Sequence, residues 1–426
     1  MMNKKLLVLP LATLVLAATG CQKSGTDYSD NTKLKIRFHV DIESPEGMAY
    51  DQIINAFNRD NGEGITVTAT FVARSAGDST YDTQLAKDKR NGTLPDIITF
   101  DAPKCAAYAS YEYLYDLSSF FSQSEKDKFV TLNTYKNRLY GIPIQESSAG
   151  FYYNKALFAR AGIDVSGYTV DNPWTYDQFK AVCAQLATLQ GITPVDMRMD
   201  ATESEMATYL LYPFIYASGG SFVDESGLRA TGYFNSQASK NGYQFLKDLL
   251  SSHYTNYSIG ATDFFTGKVG MYLSSGWTIP DLDNKYKQTF PNRDSWGLLP
   301  YPKDVTRASA NGSWSYAIGN NGRKDKTNVV KLLKYITNAA SSTKITNATG
   351  MIPANKDAQQ TYATNSPEDV LMQQLSKTGM KRPDTIGYRQ FSDVFRMVIS
   401  DLGNSDVNTL VNNKAQVLQS ELDKIK

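Results

Sequence analysis

The chain has little of what metal, redox or nucleotide chemistry needs. It holds three cysteines and two histidines, His39 and His253, in 426 residues. No HExxH, no CxxC and no paired His/Cys spacing occurs, so neither a zinc nor a copper site is expected. No GxxxxGK[ST] or GxGxxG loop occurs, which argues against nucleotide binding by those loops. The sequence therefore implies no metal and no cofactor. An excess of charge of either sign is also missing. Forty-four Lys and Arg against 43 Asp and Glu give a net charge of +1. No electrostatic field of that size recruits nucleic acid or an acidic membrane face, although one or two local charges can still hold a charged solute.

What is present begins at the N-terminus. Lys4 and Lys5 precede an apolar run, Leu6 to Ala18, closed by Ala18-Thr19-Gly20-Cys21. The run is shorter than the roughly 20 residues of a membrane span, so it reads as an export signal. With its terminal cysteine it resembles a bacterial lipoprotein signal, which implies cleavage after residue 20 and a lipid on Cys21. Residues 22–32 are polar and read as a tether. An ordinary secretory signal with an incidental cysteine is the competing reading.

The remaining 33–426 exceeds the ~250–300 residues that one hydrophobic core supports, so two lobes are expected. Cys105 and Cys183 lie in apolar, helical contexts and read as buried free thiols, though an exported protein could join them. Aromatics are 12% of the chain, with 27 Tyr and 4 Trp. Such rings pack on the C–H faces of sugars, and Tyr and Trp also hydrogen-bond to the rim. A tyrosine-rich core would have the same composition.

Periodicity gives the organisation. Leu34, Ile36, Phe38 and Val40 alternate as a strand. Tyr50, Ile53, Ile54 and Phe57 follow helical spacing. Ile65 to Phe71 alternates again, Tyr81 to Arg90 reads as helix, Ile97 to Phe100 as a buried strand and Tyr108 to Leu117 as helix. This succession predicts a parallel sheet covered by helices. Gly141 opens an extended stretch through Tyr153, and Asn154 caps a short helix. Thr175 and Gln178 form a capping box. Helices are expected at 207–217, 238–250, 329–339, 391–402 and 407–422, with strands at 269–273, 296–299 and 313–318.

In that order come short motifs that resemble a family. They are Leu94-Pro95-Asp96-Ile97-Ile98, Tyr140-Gly141-Ile142-Pro143, Tyr152 to Phe158, and Pro173-Trp174-Thr175-Tyr176-Asp177-Gln178-Phe179. Then follow Phe265-Thr266-Gly267-Lys268-Val269-Gly270-Met271 with Gly276-Trp277, Leu299-Pro300, and Gly350-Met351-Ile352-Pro353-Ala354. Together they resemble the extracellular solute-binding proteins of ABC sugar importers, the maltose-binding-like group. The resemblance implies an α/β, two-lobe periplasmic-binding-protein fold of type II, with crossing strands between the lobes and a ligand cleft. It implies one lobe from 33–143 plus 312–352 and the other from 144–311 plus 353–426. It further implies a non-catalytic, monomeric binder that delivers a sugar or small oligosaccharide to an ABC permease, held by the lipid on Cys21 outside the membrane or in the periplasm.

The resemblance places Trp277 where the family stacks an aromatic on a sugar, and matches Glu146 to an acid that binds sugar hydroxyls. Asp101 ends a strand where α/β sheets bind ligands, and is equally an N-cap. Glu43 and Ser44, after the first strand, Trp314 at the second crossing, and Tyr388 with Arg389 before a late helix complete the ligand-binding candidates. Trp174, Trp296 and His39 read as structural. Two other readings stay open. A metal binder on the same fold could use paired tyrosines, but Tyr152 and Tyr153 are strand neighbours that point to opposite faces. A secreted glycosidase would need two carboxylates roughly 5–10 Å apart, for which Asp101 and Glu146 are available.

Overall fold

The structure is a computed structural model that describes residues 28–74, 78–200 and 205–425. The signal and Cys21 lie outside the described residues.

Among the described residues eleven strands form one sheet system: β1 (Lys33–His39), β2 (Thr66–Val72), β3 (Ile97–Asp101), β4 (Asn133–Tyr135), β5 (Arg138–Asn154), β6 (Thr193–Asp196), β7 (Val269–Ser275), β8 (Trp296–Leu299), β9 (Ser309–Ile318), β10 (Ile352–Pro353) and β11 (Gly379–Met380). The main path runs β2-β1-β3-β9-β5-β7-β6. At one end β1 is parallel to β2 and β3, and at the other β6 is parallel to β7. The centre is antiparallel, where β9 lies between β3 and β5.

The long strand β5 joins the two ends. Its first half pairs with β9 as far as Ser148, opposite Asn311. From Ala149, opposite Ser275, it pairs with β7 and β8 instead. The change of partner thus falls at Ser148–Ala149. β10 runs beside the same stretch, Ile352 opposite Glu146. Three segments therefore pass side by side between the two halves.

Fourteen helices cover the sheet among the described residues. α1 (Pro45–Asp60), α2 (Asp78–Asn91), α3 (Cys105–Ser110), α4 (Gln123–Lys126), α5 (Lys155–Arg160), α6 (Tyr176–Ala187) and α7 (Glu205–Ala217) come first. α8 (Gln237–Ser251), α9 (Thr278–Asn284), α10 (Thr327–Ile336), α11 (Ala339–Thr349), α12 (Pro367–Lys377), α13 (Tyr388–Asp401) and α14 (Val407–Asp423) follow. Local chemistry sets their ends. The Thr175–Gln178 capping box starts α6, and the Asn154 side chain accepts from Ala156 and Leu157 at the start of α5.

The cores divide in the same way. Buried apolar residues of β1, β2, α1, α10 and α11 make one cluster, with Leu34, Phe38, Ile53, Phe57, Leu332 and Ile345. Those of α6, α7, α8, α13 and α14 make another, with Phe179, Phe214, Phe245, Phe395 and Leu418. Tyr152 and Tyr153 bear out the opposite-face expectation, since Tyr153 joins this second cluster and Tyr152 a third, with Trp296. Cys105 and Cys183 are buried and free, as expected.

Two helices differ from the sequence reading. The helix expected at 108–117 stops at Ser110, because Glu112 adopts a left-handed conformation and Leu114 turns to bridge Gly319. The helix expected at 329–339 ends at Ile336, because Asn338 caps a further helix by accepting from Ser341.

Two of the short motifs meet here backbone to backbone. Gly350 ends α11 in a left-handed conformation (φ 70°), and a Cβ there would fall on the Gly276 carbonyl. A Cβ at Gly276 would fall on the Gly350 carbonyl in turn. Only glycine serves at both positions. Gly162, also left-handed (φ 71°), has open space around it. Replacing Gly162 by Ala should cost only the left-handed strain, about 1–2 kcal/mol, whereas Gly350→Ala should cost more in urea unfolding because collision adds to strain. Equal losses would show that the two backbones have room to part.

Candidate functional site

The residues that follow β3, the segment 131–134, the crossing segment of β9 and the stretch after β11 line one cleft. Thr131, Asn133, Asn311, Gly312, Lys381 and Arg382 line it, with about 540 Å³ of empty space that includes open solvent.

From the first half, Asp101 enters at the end of β3. It makes no cap hydrogen bond, so the N-cap alternative fails. Its two carboxylate oxygens instead accept from both terminal nitrogens of Arg382, at 2.9 and 2.7 Å. Arg382 follows β11 and belongs to the other side of the cleft. It also donates to Glu205, at the start of α7, at 3.0 Å. Glu205 accepts in addition from the Tyr388 and Ser392 hydroxyls. The Arg382 guanidinium sits 5.5 Å from the Tyr209 ring centre and 5.9 Å from that of Tyr388. Burial raises the pKa of Glu205, against the lowering influence of Arg382.

Tyr209 links this cluster to the crossing strands and to Trp277. Its hydroxyl donates to Ser147 on β5 at 2.8 Å. Its ring presses on Gly312 of β9, where any Cβ would collide with it. Trp277 is half-buried in the turn after β7, 6.0 Å from Tyr209 between ring centres. Two aromatic faces, an arginine, two acids and a serine therefore converge from three directions.

Not every expected candidate joins them. Glu146 is wholly buried on β5 and accepts from the Thr131 hydroxyl, while its other oxygen has no partner among the described residues. Burial pushes its pKa up to about 8, against Thr131 and Lys381. It is a neutral acid behind the cleft wall rather than a carboxylate at its surface. Ser44 is the N-cap of α1, accepting from Gly47 at 3.0 Å, and Glu43 beside it is exposed. Trp314 is partly covered, with the Arg74 guanidinium 4.2 Å from its ring centre and His39 at its edge. Tyr388 is buried. Arg389 points outward and lies 3.8 Å from Asp393 in a surface ion pair. Trp174 stacks on Tyr168 and Trp296 is buried, both in structural settings.

The sequence reading missed Arg382, Glu205 and Tyr209. Arg382 lies in an irregular stretch with no periodicity to mark it. Tyr209 sits in an apolar helix and reads as core. Glu205 opens that helix, and its only signal is an acid in a first turn.

The fold and this cleft define an extracellular solute binder. The chain matches the bacterial extracellular solute-binding protein family over residues 52–373, and it belongs to that family. The family is one of binders, so the chain is a binding protein and not an enzyme. A Brucella abortus protein, named only as a binding protein, is 24% identical over 370 residues, covering 83% of this chain and 84% of its own. Among solved structures, the cyclic α-maltosyl-1,6-maltose binding protein of Arthrobacter globiformis is 21% identical, with a TM-score of 0.77 over 92% of this chain and 99% of that one. The GacH receptor of Streptomyces glaucescens, solved alone and with acarbose, is 20% identical, with a TM-score of 0.75 over the same shares, 92% and 99%. At these identities the likeness establishes the fold.

Glu146 gives a pH prediction. Its folded pKa is raised, so the folded state holds the proton more tightly than the unfolded chain does. Its contribution is fully present below the ordinary carboxylate range, near 4.5, and is lost as pH rises through about 8. Glu146→Gln, which fixes the neutral form, should make stability in urea fall less between pH 5 and 8 than in the wild type. Parallel pH profiles would mean that Glu146 is ionised in the fold.

Proposed function

We propose that this chain is the capture component of an ABC sugar importer. It takes a sugar or small oligosaccharide into the cleft and delivers it to a membrane permease. The observation that carries this reading is the chain of contacts that joins Trp277, Tyr209, Ser147, Asp101 and Glu205 to Arg382, which lines the cleft. A sugar ring offers an apolar C–H face and a rim of hydroxyls. Rings for the face and acceptors for the rim are what such a ligand needs. The oligosaccharide ligands named for the Arthrobacter and Streptomyces relatives support the same class.

The lobes on this reading are 33–143 plus 312–352 and 144–311 plus 353–426. They turn about the crossing segments to admit solute and then exclude water from it. Specificity follows because every polar group sealed in the cleft must find a partner. Trp277 stacks on the ring and Asp101 takes hydroxyls. Trp314 and Tyr388 shape the walls, and Glu43, Ser44 and Arg389 stand outside the contact set. A lipid on Cys21 keeps the exported monomer beside its permease. Lipoprotein anchoring takes two or three acyl chains, enough for firm attachment where one chain is marginal.

A thermal-shift screen of a soluble form beginning after Cys21 tests the class. Sugars are set against amino acids, polyamines and iron. Ligand at ~100 times its dissociation constant adds about 2.7 kcal/mol. Shifts with one carbohydrate class are expected, and shifts with the contrasts alone would overturn the sugar. For the sugar so found, Trp277→Ala should weaken binding by about 1–3 kcal/mol and leave the fold intact. Unchanged affinity would remove Trp277 from the site.

A further inference from the structure

The Asp101–Arg382 pair has a property beyond its place in the cleft wall. Its partners come from opposite cores. Asp101 ends β3, whose neighbours are β1 and β9. Arg382 leads into α13, whose Phe391, Phe395 and Val398 belong to the core of α7, α8 and α14. The two side chains are only 8% and 6% exposed. The geometry is a two-pronged fork, both terminal nitrogens on both carboxylate oxygens. Such pairs are directional and strong once water is excluded. Among the described residues Lys128 also pairs with Asp357, about half exposed at both partners. Exposed pairs of that kind contribute little.

We propose that Arg382 is a specificity-determining latch: it bridges the closed lobes through Asp101 and occupies the carboxylate that a solute's hydroxyls must win. Asp101 presents two acceptors at the spacing of the guanidinium fork. A pair of neighbouring hydroxyls offers two donors to the same oxygens. When a solute takes them, Arg382 keeps Glu205 and stays under Tyr209 and Tyr388, so its charge is never left without a partner. A solute with one donor cannot replace both prongs. An anionic solute meets Asp101, Glu205 and Asp384 against Arg382 and Lys381, three acids against two bases. The latch thus selects neutral solutes with paired hydroxyls, which deepens the sugar reading and rests on it for that step alone.

The latch itself is tested without any sugar. Small-angle X-ray scattering of the soluble protein gives the radius of gyration of the wild type, Arg382→Met and Asp101→Asn. Circular dichroism checks that each variant is folded. The wild type should be compact and both single variants larger. Equal radii for the wild type and both single variants would overturn the latch. Because no sugar enters, this result can fail while solute capture stands, and failure of every sugar in the thermal screen leaves it untouched.

Discussion

The structure depends on one strand serving two sheets. β5 runs 17 residues and is buried along almost all of its length. Its first half completes the sheet of β1, β3 and β9, and its second half completes that of β7 and β8. Side chains of a strand alternate between faces, so a shift of one position would turn every residue of both halves inside out. The register of β5 therefore fixes both cores at once. It also bears on the cleft, because Ser147 accepts from Tyr209 and donates to the carbonyl of Gly312, which lines it.

Packing at this crossing is close enough to explain two motifs. Gly312 must lack a side chain for Tyr209 to reach Ser147, and Gly276 and Gly350 must lack one for the α9 turn to meet the end of α11. These glycines let the segments approach each other, and the side chains around them then converge. The charged cluster depends on the same closeness. Arg382 balances Asp101 and Glu205 only while the two sides of the cleft stand together, since removing one member of a buried pair leaves the other charge stranded.

Much of this was legible in the sequence. Period-2 and period-3.6 patterns gave β1, α1, β2, α6, α8 and α14 because each turns one face to a core, while β3 and α7, buried on nearly all sides, read as apolar runs. Capping chemistry placed the starts of α5 and α6 to the residue. What failed has physical causes. Glu112 and Asn338 interrupt helices through conformation and capping, which apolar spacing does not register. At the site, Trp277 was marked by a turn after a strand, and Asp101 by its position at a strand end. Glu146 has the same local look as an exposed acid, and its place between β10 and β9 is set by tertiary pairing. Arg382 and Glu205 are 177 residues apart and meet through tertiary structure alone.

The central claim is that a sugar is held between the two sides of this cleft. Hydrogen exchange with the sugar selected by thermal shift tests it most directly, because protection reports which backbone segments are held closed. Slowed exchange is predicted together at 99–103 from the first side, 145–149 and 311–314 at the crossing, and 275–279 and 380–385 from the second. Protection confined to one side, or falling away from these segments, would contradict the account.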